Sequence, residues 1–261
     1  ERGERIGIWA PNRAEWVVLQ FAAPKAGLIL VNINPAYRAH ELEYSLNKVA
    51  CRALVLPRRF KTSQYLAMLT ELAPELATAA PGKLQAARLP AWREVILRDE
   101  QDEPGTRRWA QLAALGDEAA RALLRVREAT LNFDDAVNIQ FTSGTTGAPK
   151  GATLTHHNIV NNGWFIGEAM RLTEQDRLCI PVPLYHCFGM VLGNLACVTH
   201  GACMVIPGEG FDALTTLQCV AEERCTGLHG PVDQVAHLVQ VLAVHGGLDA
   251  DREAAARRVA R

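Results

Sequence analysis

The run Phe141-Thr142-Ser143-Gly144-Thr145-Thr146-Gly147-Ala148-Pro149-Lys150-Gly151 gathers three glycines, four hydroxyl side chains and one lysine. Together those residue types suit the holding of phosphate. Glycine lets backbone N–H groups approach an anion, hydroxyls donate further hydrogen bonds, and lysine brings a point charge. A strand-like apolar segment from Ala136 to Phe141 leads into the run, and a helical pattern starts at Thr155. Strand, loop and helix in that order are the usual setting of a phosphate loop. Pro149 is expected to stiffen the far end of the loop.

A second candidate is His186, in Pro183-Leu184-Tyr185-His186-Cys187-Phe188-Gly189. A single histidine beside apolar residues is more often a satisfied core group than a functional one. His156 and His157 fall at a helix start behind Thr155 and read as solvated first-turn residues. Trp9, Trp16 and Tyr44 read as core or helix-face residues rather than ligand contacts. The arginines from Arg252 to Arg261 read as a solvated tail.

Two familiar phosphate motifs are excluded. The Walker loop needs a Ser or Thr directly after its lysine, and here Gly151 follows Lys150. A dinucleotide G-x-G-x-x-G is absent as well.

The elements that must position these residues show a regular rhythm. Strands are expected at Arg5 to Trp9, Leu28 to Ile33, Ala53 to Leu56, Val95 to Leu97, Ala136 to Phe141, Arg177 to Val182 and Cys203 to Pro207. Helices are expected from Asn12, as N-cap with Glu15 as its capping-box partner, to Gly27. Others are expected over Glu41–Val49, Phe60–Leu72, His156–Met170, Phe188–Val198 and Ala213–Arg224. Strands alternating with helices predict an α/β fold with largely parallel sheets flanked by helices. The polar, Ala-rich stretch from Asp99 to Thr130 is expected to be a surface excursion with one or two helices.

The 261 residues carry a net charge of -1 and no long basic tract, which argues against nucleic acid as a partner. No apolar run approaches the ~18 residues of a membrane span. The charged start runs straight into a strand, so the chain is expected to begin inside a domain. Seven irregularly spaced cysteines predict buried, reduced thiols and a cytoplasmic setting.

Taken in order, Thr-Ser-Gly-Thr-Thr-Gly-x-Pro-Lys-Gly resembles the phosphate-binding signature of the adenylate-forming superfamily: acyl-CoA synthetases, luciferases and adenylation domains. The following Ala152 to Asn162 is similar to the same family. So are Asn34-Pro35-Ala36-Tyr37, Glu41-Leu42-Glu43-Tyr44 and the Pro-Leu-Tyr-His run at 183–186. The likeness is strongest to medium-chain fatty acyl-CoA synthetases and runs from Arg5 to about Gly230.

The resemblance implies a fatty acid–CoA ligase. A carboxylate and ATP give an acyl-adenylate, and CoA then takes the acyl group as a thioester, with Mg²⁺ assisting. It carries over Thr142, Ser143, Gly144, Thr145, Thr146, Gly147, Ala148, Pro149 and Lys150 as the ATP-contacting set. Lys150, Thr145 and His186 become the catalytic candidates, with Phe188 and Gly189 beside the acyl chain. No residue here is carried over as a metal ligand. It further implies a partial AMP-binding domain over residues 1–230, followed by a divergent tail at 231–261. The family's Tyr-Gly-x-Thr-Glu motif, its ribose-binding aspartate and the lysine of its small C-terminal domain have no match here. The chain is therefore expected to be an N-terminal-domain fragment lacking that small domain and inactive by itself. An amino-acid-adenylating or luciferase-like parent, or a chain that only binds nucleotide, remains the alternative. A mitochondrial matrix location stays open beside the cytoplasmic one.

Overall fold

A computed structural model describes residues 1–142 and 148–244. They divide into two units, one from Glu1–Ala10 and the described part of Glu15–His156, the other from Pro11–Ala14 and the described residues from His157 onward.

The first unit is built from β1 (Arg5–Ile8), α1 (Ala14–Lys25), β2 (Ile29–Asn32), α2 (Ala39–Lys48), β3 (Ala53–Leu56), α3 (Tyr65–Leu72), β4 (Glu94–Leu97), β5 (Arg107–Arg108), α4 (Glu118–Glu128), β6 (Ala136–Thr142) and β7 (Lys150–Thr155). Its sheet has seven strands in the order β5-β4-β3-β1-β2-β6-β7. Every neighbouring pair is parallel except β6 and β7. The expected α/β fold with a largely parallel sheet is the one observed.

Each of β1 to β4 buries its last three residues in succession. Consecutive burial means that both faces of the sheet are covered, as a parallel sheet requires. On one face Val31, Leu54, Leu56 and Val95 pack with Leu42 and Leu46 of α2 and with Leu69 and Leu72 of α3. Trp9 stacks on Tyr65 there, with ring centroids 3.7 Å apart. The polar tips of both rings are satisfied. Trp9 Nε1 donates to the Asn34 carbonyl at 3.1 Å, and the Tyr65 hydroxyl donates to the Pro35 carbonyl at 2.6 Å.

Gly27 ends α1 with φ of +71°, and Leu28 N–H donates back to the Ala23 carbonyl at 2.9 Å. That turn feeds the chain directly into β2. Buried Asn138 on β6 reaches across to β2. Its Nδ2 donates to the Leu30 carbonyl at 3.0 Å and to Asn32 Oδ1 at 2.9 Å.

The stretch 99–130 contributes α4, capped by Asp117, whose Oδ1 accepts from Ala120 N–H at 2.7 Å. No residue of α4 is buried, as a surface excursion implies. The same stretch also supplies β5, which the polar sequence hid because its two residues are arginines.

The second unit contains most of α5 (His156–Met170), then β8 (Arg177–Cys179), a π-helix (Phe188–Leu195), α6 (Ala196–His200), β9 (Cys203–Val205), α7 (Ala213–Glu222), β10 (Gly227–Leu228) and α8 (Val232–Val244). A three-stranded parallel sheet runs β10-β8-β9. Glycines let α5 approach its neighbours. A Cβ on Gly163 would lie 2.7 Å from Leu195 Cβ, and one on Gly167 would lie 2.3 Å from the His200 ring. Residues just beyond Gly230 form α8, where buried Leu238 packs with Ala213 and Leu217 of α7 and with Val241. The arginines from Arg252 to Arg261 lie outside the described residues.

Leu69→Ala is expected to lower stability by about 2–5 kcal/mol, because it opens a void in the cluster between α3 and the sheet. Leu123→Ala, on the exposed face of α4, is expected to stay within about 0.5 kcal/mol. Urea unfolding of both variants checks this, and equal midpoint shifts would refute the packing described.

Candidate functional site

The glycine-rich run joins two strands. β6 enters it, and β7 returns antiparallel with Phe141 opposite Gly151 and Thr142 opposite Lys150. The expected order of strand, loop and helix is therefore corrected to strand, loop, strand and helix. Lys150 is the first residue of β7 rather than part of the loop. Gly151 makes the return possible at close range. A Cβ there would sit 3.1 Å from Ile139 Cγ2 and 3.6 Å from the Phe141 ring.

Pairing of Thr142 with Lys150 brings the two ends of the run together. Both residues are exposed, as is Ala148. Thr142 Oγ1 stands 3.5 Å from the Lys150 carbonyl, at the limit of a hydrogen bond. Pro149 is half-buried, and its carbonyl accepts from the Tyr44 hydroxyl of α2 at 3.2 Å. Ser143, Gly144, Thr145, Thr146 and Gly147 lie outside the described residues. Tyr44 reads from sequence as a helix-face residue. Its bond to Pro149 lies 105 positions along the chain, with no local signal to reveal it.

His186 belongs to the second unit, as Lys150 belongs to the first. It is exposed at the end of the segment between β8 and the π-helix. Its Nδ1 accepts from Phe188 N–H at 3.1 Å. In a neutral ring that bond places the hydrogen on Nε2, which can then donate to a carboxylate or carbonyl. Two further residues hold this segment. Asn12 is buried, with Nδ2 donating to the Val182 carbonyl at 2.8 Å and Oδ1 accepting from Leu184 N–H at 2.8 Å. Asn12 is thus a tether and not the expected N-cap of α1. Its amide makes two inward backbone bonds, which a capping role would forgo. Gly189 is required by packing, because a Cβ there would stand 2.5 Å from the Pro183 carbonyl oxygen. Phe188 sets its ring edge-on to His229, with centroids 5.2 Å apart.

Two histidines are depressed below their ordinary pKa. His229 is buried, with Nε2 3.1 Å from Met170 Sδ, and burial disfavours its charged form. His156 is half-buried rather than solvated as expected, since its ring lines a small cavity with Arg2 and Asp135. Burial lowers its pKa, and the Asp135 carboxylate opposes that effect. All seven cysteines are free. Cys51, Cys179, Cys197 and Cys225 are buried as expected, whereas Cys203 is exposed. Burial pushes the Cys51 thiol up to about 12.

A family model described as AMP-binding enzyme matches residues 1–259. The chain belongs to that family. Over 234 residues it is 46% identical to the mitochondrial medium-chain acyl-CoA ligase ACSF2 of Danio rerio, covering 88% of this chain and 38% of that one. The human protein of the same name is 45% identical with the same coverage. The chain therefore spans 38% of the length of those curated relatives. The fold recurs in the crystal structure of the anthranilate CoA ligase AuaEII in complex with anthranoyl-AMP. The TM-score is 0.70 at 23% identity, over 90% of this chain and 41% of that one. It recurs in the inhibitor-bound N-terminal domain of FACL13 from Mycobacterium tuberculosis. There the TM-score is 0.66 at 21% identity, over 96% of this chain and 55% of that one.

The depressed histidines set a pH dependence. Below about pH 6.5 the unfolded chain binds protons that buried His229 and His156 resist, so stability falls as pH drops until their folded pKa values are passed. Melting temperatures from about pH 7.5 to 5.5 are expected to fall, and the fall is expected to be smaller in His229→Asn. An equal slope in that variant would count against the burial argument.

Proposed function

We propose that this chain carries the ATP-handling segment of an AMP-forming fatty acid–CoA ligase. The observation that carries the reading is the pairing of Thr142 with Lys150, which gathers the ends of the hydroxyl- and glycine-rich run around one exposed lysine. Membership of the AMP-binding family and the names of its relatives support it.

In the proposed first step a carboxylate oxygen attacks the α-phosphorus of ATP. The bond to pyrophosphate breaks, and negative charge grows on the leaving group. Hydroxyls of Thr142, Ser143, Thr145 and Thr146, backbone N–H groups of Gly144, Gly147 and Ala148, and the Lys150 ammonium stabilise that charge; Pro149, without an N–H, stiffens the loop. Nε2–H of His186 is assigned to the carboxylate end of the acid. CoA sulfur then attacks the acyl carbon, and AMP departs. No group of three or more His, Cys, Asp or Glu side chains able to hold a metal occurs among the described residues. Mg²⁺, if brought by the ATP phosphates, would supply further positive charge there, and no step is assigned to it. A medium-chain acid and a mitochondrial location follow the relatives' names. No described helix is long and apolar enough to cross a membrane.

Carboxylate-dependent exchange of labelled pyrophosphate into ATP tests this in the full-length protein. Octanoate is expected to support exchange, and Lys150→Ala is expected to lower it about 10²- to 10³-fold. In the 261-residue chain the same substitution is expected to weaken ATP binding measured by calorimetry. Exchange without any added carboxylate, or an unaffected Lys150→Ala enzyme, would refute the reading.

A further inference from the structure

We propose that Tyr44 is a positioning residue for Lys150, its hydroxyl fixing the Pro149 carbonyl and with it the point where β7 begins. The inference rests on the reading of Lys150 given above.

The β6–β7 ladder cannot do this alone. Its last pair is Thr142 with Lys150, so it stops one residue short of Pro149. Within that pair Thr142 Oγ1 approaches the Lys150 carbonyl at 3.5 Å, which does not reach Pro149. Pro149 has no N–H, so its backbone can be held through its carbonyl but not through a donor. Tyr44 takes that carbonyl at 3.2 Å from a separate element.

The element is well anchored. Leu42, Ser45 and Leu46 of α2 are buried, and the two leucines sit in the main cluster. Glu43, next to Tyr44, takes Arg88 in a two-point clamp, with Nε and Nη2 at 2.8 and 2.6 Å from its oxygens. A hydroxyl mounted on such a support defines the position of the carbonyl it meets, and the ammonium one residue on inherits that precision. Orientation is where small displacements cost most in catalysis.

Tyr44→Phe removes one oxygen and keeps the ring. The variant is expected to melt like the parent. Amide hydrogen exchange, read by mass spectrometry on the ligand-free chain, is expected to quicken at Lys150 and Gly151 and to stay unchanged across α2. ATP is expected to bind about 2- to 10-fold more weakly, the range one hydrogen bond commands. AMP, which lacks the outer phosphates, is expected to keep its affinity. Lys150→Ala is the reference. If Lys150→Ala weakens ATP binding and Tyr44→Phe does not, the role of Tyr44 is overturned. Weaker ATP binding without faster exchange would make Tyr44 a contact and also overturn it, as would an equal loss for AMP. If Lys150→Ala itself leaves ATP binding unchanged, the phosphate reading fails and this proposal falls with it.

Discussion

The buried carboxamide of Asn138 is the constraint on which the placement of the glycine-rich run depends. It bonds to a backbone carbonyl and to a side chain of β2, both inside the sheet. A slip of one residue between β2 and β6 would turn this amide to the opposite face and leave buried polar groups unpaired, at a cost of order 1–3 kcal/mol each. Hydrophobic burial alone tolerates such slips better, because Val137 and Ile139 are both buried on β6. Amide pairing therefore fixes the register of β6, and the register of β6 fixes where Thr142 leaves the sheet.

From there the order of strands does the rest. β6 has a parallel neighbour on one edge and an antiparallel one on the other. A parallel neighbour needs a crossover of a dozen or more residues, whereas an antiparallel one can follow a short loop. Reversing direction at the edge of the sheet lets β7 pair with β6 and lead at once into α5. The interior of the sheet stays parallel and buried, and the exception occurs at the edge where Thr142 and Lys150 are exposed.

Much of this architecture was legible in the residues. Short apolar runs marked β2, β3, β4 and β6 because strands buried on both faces need continuous apolar sequence. Helix α5 was legible to its ends. β7 was not, because Lys-Gly-Ala-Thr-Leu-Thr has a polar, half-exposed pattern and its glycine and lysine also suit a loop. Asn12 misled for a related reason. An asparagine before a helix with Glu three residues on satisfies the capping pattern, and sequence carries no mark of the Val182 and Leu184 backbone that claims its amide. The tautomer of His186 was equally hidden, since it depends on one backbone N–H that only the turn into the π-helix supplies. Bonds to distant backbone, such as those of Tyr44 to Pro149 and of Asn12 to Val182 and Leu184, leave almost no local trace.

The glycines of α5 carry a consequence for how this chain can vary. Gly163 and Gly167 stand one turn apart, and each meets a neighbour too closely for even a methyl group. Val160, Trp164 and Phe165 on the same helix are exposed. A lineage descending from this sequence would be freer to rewrite Val160 and Phe165 than the inner stripe, while Trp164 stays tied to the His200 ring, with centroids 4.9 Å apart. Helix α5 would therefore accumulate change with the period of its own turn, a rhythm of drift set by the space beside two absent side chains.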